Sequence, residues 1–306
     1  MLEEMSNLLA PPAPREGDTI AVVAPAGPVP LDRLGPGLRL LEKHYKLLVS
    51  PDIDRSDTFL AGSDARRTEE FNAALRSPDV RAIWAARGGY GCSRIVDDLD
   101  AAAMRADPVP IVGFSDVTVL LCWAAKLGIR SIHGPVLTQL GELDPDDVQW
   151  VLEMLAGKSA GAELPCSGVS TVREGLLVGG NMSLLAHLCG TAWAPPMGDA
   201  ICILEDVGER PYALDRYATQ LLAQEDGKVL SDAAAVLLGD FDRCQEAGDR
   251  NLDAIEMLRA RLFSEGIACG EGLPVGHGAQ NRAFPFGARA RIGPDGLKLI
   301  EPATAA

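Results

Sequence analysis

The first half of the chain alternates short apolar runs with longer segments of helical periodicity. Four short apolar runs have the length of buried strands: 19–24, 46–50, 80–86 and 109–112. Segments with the spacing of helices lie between or after them: 31–44, 64–76, 116–127 and 146–155. Ser63 stands where the N-cap of the second helix is expected. This order predicts βαβ units on a parallel sheet, and therefore an α/β domain.

A change of pattern near the middle of the chain predicts a domain boundary. Segment 158–170 (KSAGAELPCSGVS) is rich in small and turn-forming residues and follows neither period, so we interpret it as a linker between domains at 1–157 and 171–306. The second half is more mixed. Its predicted strands are 176–178, 200–204 and 233–238, its predicted helices are 182–188, 211–223 and 254–263, and a hairpin is predicted at 288–300. This mixture is typical of an α+β domain.

Charge and cysteine content exclude several classes of function. The 306 residues include 28 Lys and Arg against 43 Asp and Glu, a net charge of −15, which would repel a phosphate backbone. The chain is therefore not expected to bind nucleic acid. The 7 cysteines are scattered, mostly in apolar runs, and none forms a C-x-x-C pair. They are predicted to be buried thiols in a reducing compartment, with no zinc site.

The N-terminal residues do not have the pattern of a secretory signal. Glu3 and Glu4 stand where a signal peptide is positively charged, and three prolines interrupt the apolar stretch that follows. No window has the 18 or so uninterrupted apolar residues of a membrane helix. We therefore expect a cytoplasmic protein with no membrane partner.

The chain contains only 4 histidines, which narrows the choice of a catalytic base. His44 lies among charged residues and is expected to be solvated, whereas His187 lies in an apolar helix and is expected to be packed. His133 stands at a predicted strand end and could lie near a cleft. His277 is flanked by glycines just after a predicted strand, where backbone and substrate can approach closely. His277 is therefore the first candidate for catalysis.

A serine stands at the junction between a predicted strand and the helix that follows it. In the sequence PIVGFSDVT, Ser115 follows Gly113, which allows a tight turn. The arrangement partly matches a nucleophile elbow, in which the serine is exposed and the next amide can donate to an oxyanion. The alternative is that Ser115 is an ordinary helix N-cap.

Two further segments could complete a hydrolytic site. Glu205 and Asp206 end the apolar run ICILED, and because neighbouring strand residues face opposite ways, only one can reach a given partner. Periodicity does not choose between them, and either could simply cap the following turn. The glycine-rich run 87–91 (RGGYG) matches a nucleotide-binding fingerprint poorly, but its amides could bind an oxyanion.

Six short motifs occur together in one order along the chain. They are RGGYG at 87–91, GFSD at 113–116, HGP at 133–135, GGN at 179–181, LED at 204–206 and GHG at 276–278. In order and spacing they resemble the LD-carboxypeptidases, or muramoyltetrapeptide carboxypeptidases, over about 20–291. The segment FPFG at 284–287 departs from the family's Leu-Pro-Leu-Gly, a difference expected to affect packing only.

The resemblance implies a fold, an activity and a set of residues. It implies a Rossmann-like N-terminal domain, a smaller β-rich C-terminal domain, a cleft between them, and a homodimer. The implied triad is Ser115 as nucleophile, His277 as base and Glu205, rather than Asp206, as acid. The implied oxyanion donors are the backbone amides of Gly88, Gly89 and Asp116. The resemblance implies neither metal nor cofactor.

The implied substrate is the cytoplasmic murein tetrapeptide L-Ala-D-Glu-meso-diaminopimelate-D-Ala, cut before its terminal D-Ala during peptidoglycan recycling. Two alternatives stay open. A related peptidase of the microcin C immunity type would use the same triad on aminoacyl-nucleotide analogues, and a non-catalytic ligand-binding module would keep the cleft without needing a nucleophile.

Overall fold

Two β-sheets, each covered by helices, form the framework of the protein. The computed structural model describes residues 8–195, 197–223, 230–245 and 253–306. Within these ranges the chain is a mixed α/β structure with a mainly parallel first sheet and a second, mixed sheet, which confirms the predicted fold class. None of the helices in the described ranges is long and apolar enough to cross a bilayer.

The first sheet is built almost entirely from the first half of the chain. Its parallel strands are β1 (Thr19–Val23), β2 (Lys46–Val49), β3 (Val80–Ala85), β4 (Ile111–Gly113) and β5 (Ser131–His133), arranged β5-β4-β3-β1-β2. The helices of this half are α1 (Leu31–Leu41), α2 (Asp64–Arg76), α3 (Cys92–Ile95), α4 (Ala101–Ala106), α5 (Thr118–Lys126), α6 (Leu137–Leu140) and α7 (Pro145–Leu155). The predicted strands and helices of this half are confirmed to within a few residues. Ser63 caps α2 by accepting the Arg66 amide at 3.2 Å.

The second sheet combines a parallel half with an antiparallel half. Its strands are β6 (Glu163–Leu164), β7 (Arg173–Asn181), β8 (Ile201–Val207), β9 (Ala235–Asp242) and β10 (Cys269–Gly270), followed after β11 (Phe284–Phe286) by β12 (Arg289–Gly293) and β13 (Gly296–Leu299). Strands β7 to β10 are parallel and are connected through α8 (Met182–Leu188), α9 (Pro211–Leu222) and α10 (Ala254–Ser264). Strands β7, β12, β13 and β6 are antiparallel neighbours, and β12 with β13 forms the predicted terminal hairpin.

Two segments depart from the predicted division of the chain. The segment 158–170, predicted as a linker, contains β6, which pairs with β13 because Leu164 can be buried there. Strand β11 returns to the first sheet, where Phe284 lies opposite His133. Both pairings join residues far apart in sequence, so local turn signals could not indicate them.

The carboxyl ends of strands from both sheets meet at one place. A Cβ added to Gly180, at the end of β7, would lie 2.7 Å from the Thr118 hydroxyl and 3.2 Å from the His133 ring. The Asn181 amide donates to the same hydroxyl at 3.2 Å. Functional groups at the ends of β4, β7 and β8 are therefore neighbours in space.

Candidate active site

Ser115 adopts an unusual backbone conformation in the turn after β4. Its φ is +61°, in the left-handed region that non-glycine residues rarely occupy. A Cβ on Gly113 would lie 2.7 Å from the Val117 side chain, so this tight turn needs glycine. Ser115 lies inside the first 3-10 turn of the helix, whose N-cap is Phe114, so it is not the ordinary N-cap of the alternative interpretation. The geometry is that of a nucleophile elbow.

The glycine-rich turn after β3 lies directly against Ser115. A Cβ on Gly88 would be 2.9 Å from the Ser115 Cβ and 3.0 Å from its Oγ. The turn is fixed by Asp116, which is fully buried and accepts the Cys92 amide at 2.8 Å. Burial raises the pKa of Asp116, and the hydrogen bonds from Cys92 oppose that shift. The side chain of Asp116 thus ties the turn that contains Ser115 to the turn that contains Gly88 and Gly89.

A buried arginine that the sequence pattern did not reveal supports the same turns. Arg67 is fully buried, pairs with Asp64, and donates to the carbonyls of Pro25 and Gly91, the latter at 2.8 Å. In the sequence it is one of several charged residues of α2, and nothing in the pattern distinguishes it from the others. Its burial shows that this charge holds two loops together.

His277 and Glu205 form a hydrogen-bonded pair at the end of β8. The His277 Nδ1 lies 2.7 Å from Glu205 Oε2, and the carboxylate is fully buried. Because a carboxylate only accepts, Nδ1 carries the proton and Nε2 is left as the basic nitrogen. Burial by itself would lower the pKa of His277, but the charge and hydrogen bond of Glu205, helped by Asp206 and Asp242, raise it above its ordinary value. The pair is thus arranged to hold one tautomer and to stabilise an imidazolium.

Asp206 faces the other way. Its carboxylate accepts from the Asn181 side chain at 3.1 Å and from the Ser183 amide at 2.8 Å. Burial, and secondarily the charge of Glu205, raises the pKa of Asp206 to about 6. Of the two neighbouring carboxylates, Glu205 therefore contacts His277, and Asp206 fixes the start of α8.

His277 lies beside the turn that carries Ser115. Its ring centroid is 4.6 Å from that of Phe114, the residue before Ser115. The loop is held by Asn281, which is fully buried, accepts the Gly276 amide at 3.1 Å and donates to Gln139 of α6 at 2.8 Å. Sequence inspection missed Asn281, since an isolated asparagine in a loop has no distinguishing pattern.

Within the described ranges, the other three histidines are not hydrogen-bonded to a buried carboxylate as His277 is. His133 is fully buried, stacks on Phe284 with centroids 4.5 Å apart, and has its pKa lowered to about 3 by burial and by the charge of His277. It is a neutral packing residue beneath the site. His187 is exposed, so the prediction that it is packed was wrong: it lies on the outer face of α8, near Tyr217. His44, expected to be solvated, has a side chain that is 41% exposed.

The cysteines, which all lie in the described ranges, do not form disulfides, and most of them are buried. All seven cysteines are free thiols; Cys189 and Cys269 are half-buried and the rest are buried, so their predicted burial holds with two partial exceptions. Across the described ranges, no three His, Cys, Asp or Glu side chains are grouped as metal ligands would be.

Models of known protein families match both halves of the chain. The model described as the LD-carboxypeptidase N-terminal domain matches residues 20–134. The model described as the LD-carboxypeptidase C-terminal domain matches residues 174–292. Together these matches include five of the six motifs in full, and the first match ends within the remaining one, at Gly134 of HGP.

Individual relatives are similar over most of the chain. A murein tetrapeptide carboxypeptidase of Pseudomonas aeruginosa is 38% identical over 89% of this chain and 92% of its own. The crystal structure of a muramoyltetrapeptide carboxypeptidase from Oxalobacter formigenes, 29% identical, superposes with a TM-score of 0.82 over 94% of this chain and 100% of that one. A structure of MccF in complex with glutamyl sulfamoyl guanosine, 22% identical, has the same fold, with a TM-score of 0.87 over 97% and 100% of the two chains.

Proposed function

The chain belongs to the LD-carboxypeptidase family of peptidases, and from that premise we propose that it removes the terminal D-Ala from murein tetrapeptide, L-Ala-D-Glu-meso-diaminopimelate-D-Ala. The observation that carries the proposal is the 2.7 Å pair of His277 and a fully buried Glu205 beside a serine with a left-handed backbone. A packing or ligand-binding role alone does not require this combination, because the buried charge and the strained backbone both cost free energy.

Ser115 is the proposed nucleophile. A serine hydroxyl is a weak nucleophile near neutral pH until a base accepts its proton. In this mechanism His277 Nε2 takes the proton while Ser115 Oγ attacks the carbonyl carbon of the diaminopimelate residue. Glu205 stabilises the imidazolium that forms, as the acid of a catalytic triad does.

The glycine-rich turn and the start of the helix are the proposed oxyanion site. The backbone amides of Gly88, Gly89 and Asp116 belong to the two turns that meet at Ser115. The first amides of a helix have no intrahelical partner and can stabilise the negative oxygen of the tetrahedral intermediate.

Two steps then complete the reaction. His277 returns its proton to the departing amine, which releases D-Ala and leaves an ester between Ser115 and the tripeptide. Water, deprotonated by His277, cleaves this acyl-enzyme and restores the serine. No metal or cofactor takes part in these proposed steps.

Sequence identity supports murein peptides as the substrate class. The chain is 38% identical to the murein tetrapeptide carboxypeptidase of Pseudomonas aeruginosa but 26% identical to the microcin self-immunity protein MccF of Escherichia coli, over similar coverage. We further propose that the protein acts in the cytoplasm, on peptides released during peptidoglycan recycling, and as a homodimer.

The test is mass spectrometry of the purified protein incubated with murein tetrapeptide, with Ser115→Ala as the control. We expect loss of one alanine from the peptide with the native protein and none with the variant. Turnover of an aminoacyl-nucleotide analogue but not of the tetrapeptide would instead assign the microcin-immunity activity. If a fluorophosphonate probe labels neither protein, Ser115 is not an activated nucleophile and a binding module becomes the better description.

A further inference from the structure

Arg87 differs from the other arginines in the described part of the chain. Most of these arginines lie within 4.0 Å of an Asp or Glu oxygen, as expected in a protein with a net charge of −15. Arg87 has no such partner among the described residues. The other arginines without one are all exposed to solvent: Arg15, Arg39, Arg105, Arg173, Arg210 and Arg216. Arg87 is thus the one half-buried guanidinium of the described ranges without an acidic partner.

An unpaired charge that is partly removed from water costs free energy unless something compensates it. One hydrogen bond is present: Arg87 Nη1 donates to the carbonyl of Pro28. This contact orients the side chain but adds no opposite charge. A guanidinium has five N–H groups, so donors remain for a further acceptor, and two of them can bind a carboxylate side by side.

The position of Arg87 in the fold brings it close to the reacting atoms. Trp84 of β3 and Val112 of β4 are the last pair between these two strands, and Arg87 and Ser115 each follow that pair by three positions. Neighbouring strands are about 4.8 Å apart. The next residue, Gly88, confirms the proximity, since its Cβ position would lie 3.0 Å from Ser115 Oγ.

The Pro28 carbonyl that Arg87 contacts belongs to the 25–28 turn, which packs against Gly88 and Gly89. The Gly27 amide donates to the Gly88 carbonyl at 3.0 Å, and Gly27 packs closely on Gly89. Arg87 therefore lies between the 25–28 turn and the Ser115 turn, on a framework also fixed by Arg67. These contacts fix the backbone next to Arg87, and the hydrogen bond to the Pro28 carbonyl orients its guanidinium.

We propose that Arg87 binds the terminal carboxylate of the substrate and so makes the enzyme a carboxypeptidase. This inference rests on the proposed function. In a carboxypeptidase substrate the terminal carboxylate belongs to the residue directly after the scissile carbonyl, so it lies within one residue of the atom that the nucleophile attacks. Arg87 precedes Gly88, which lies directly against Ser115, so an arginine at this position starts next to the place that the carboxylate would occupy. The other carboxylates of the tetrapeptide lie on the opposite side of the scissile bond.

The test compares the tetrapeptide free acid with the same peptide amidated at its C-terminus. For the native protein we expect kcat/KM to be roughly tenfold or more higher for the acid. In Arg87→Gln the acid should lose the same factor, roughly tenfold or more, while the amide changes less than about threefold, so that the preference disappears. Arg87→Lys, which keeps the charge but not the fork, should fall between the two. Arg105→Gln, an exposed arginine of α4, is the matched control and should keep the native preference.

Binding measured in a Ser115→Ala background separates this inference from the proposed function. Calorimetry should show tighter binding of the acid than of the amide, and loss of that difference when Arg87→Gln is added. If the native protein does not release D-Ala, the proposed function fails, but the binding comparison still decides the role of Arg87. If Arg87→Gln does not fold, Arg87→Lys provides the same comparison. An acid preference that survives both substitutions would overturn the inference.

Discussion

Among single residues, the site depends on contacts so close that a larger side chain would displace a neighbouring group. Gly88 touches Ser115 and Glu205 touches His277, and in each pair one member has little freedom to move. Misplacing catalytic groups by about 1 Å can cost on the order of a hundredfold in rate. Small substitutions at these positions therefore test the proposed roles directly.

Gly88→Ala should reduce kcat on the order of a hundredfold, because its methyl group would lie 2.9 Å from the Ser115 Cβ and must displace either the serine or the turn amides. The measurement is steady-state kinetics on the tetrapeptide. Gly35→Ala, in helix α1 and near only the flexible end of Arg39, is the control and should keep native kinetics. Equal activity of both variants would argue against an oxyanion site at Gly88.

The two neighbouring carboxylates should differ in their effect on the pH profile. The raised pKa of His277 predicts that kcat/KM falls as pH decreases through a value above about 6.5, because the imidazole must be neutral to accept the serine proton. Glu205→Gln removes the main opposing charge, so the acidic limb should move to lower pH and activity should drop roughly 10²–10⁴-fold.

Asp206→Asn is the matched comparison for Glu205→Gln. Asp206 does not contact His277 and contributes less to its raised pKa, so this variant should show a smaller shift of the acidic limb and a smaller loss. Profiles of kcat/KM from pH 5 to 9 in both variants are the measurement. Equal shifts, or a larger one in Asp206→Asn, would contradict the choice of Glu205 as the acid.

At the scale of secondary structure elements, the strands and helices set the site, and most of them were predictable. Most residues of strands β1, β3, β4 and β8 are buried, and near-continuous apolar runs of this length indicate strands covered on both faces. Ser115 follows the end of β4, and Glu205 lies near the end of β8, so predicting these strands also places both residues at strand ends. The three-residue strand β11 was not predicted, because FPF is short, contains proline, and pairs with β5, a strand far away in the sequence.

The packing of side chains between elements could not be predicted from the sequence. The sequence left open that His133 lies near a cleft, and the structure buries it fully, since β11 places Phe284 directly on its ring. Likewise, the burial of Arg67 and Asn281 depends on loops from other parts of the chain. The six motifs identified the candidate site because each keeps its residues together locally, whereas these supporting contacts do not.

His133 should make the protein less stable in acid. Its pKa is about 3 in the folded state and about 6.5 when unfolded, so the unfolded state binds more protons between these values. Above pH 6.5 the neutral His133 therefore does not reduce the free energy of unfolding. As pH falls toward 3, protonation of His133 in the unfolded state progressively lowers that free energy. In His133→Phe, which keeps the stack on Phe284, the free energy of unfolding should depend less on pH in this window.

Urea denaturation of the native protein and His133→Phe at pH 7, 5 and 4 is the measurement. Comparing the two proteins isolates His133 from Asp206, whose raised pKa acts in the opposite direction. Parallel pH dependences would show that His133 is not the neutral buried group described above.

At the scale of the whole molecule, the C-terminal segment joins both halves to the site. After the His277 loop the chain passes along helix α7, where Arg282 pairs with the buried Asp147 at 2.9 Å and lies over the Trp150 ring at 5.1 Å. It then enters the first sheet as β11 before returning to the second. His277, the proposed catalytic base, is thereby fixed to both sheets.

Arg282→Met should destabilise the protein by about 3–5 kcal/mol, because it leaves Asp147, only 1% exposed, as an uncompensated buried charge. Arg261→Met removes an ion pair with Glu265 in which both side chains are at least 35% exposed, and should cost about 0–1 kcal/mol. Urea unfolding of both variants is the measurement. Similar losses would show that the contact with α7 does not hold the C-terminal segment in place.

Release of free alanine, measured by chiral chromatography, shows whether the protein cleaves an L,D bond before a terminal D-Ala. The substrates are the tetrapeptide, its analogue ending in L-Ala, and the pentapeptide ending in D-Ala-D-Ala. We predict release of D-Ala from the tetrapeptide, little L-Ala from the analogue, and no cleavage of the pentapeptide, with every signal absent in Ser115→Ala. Comparable release from the L-Ala analogue or the pentapeptide would contradict the account.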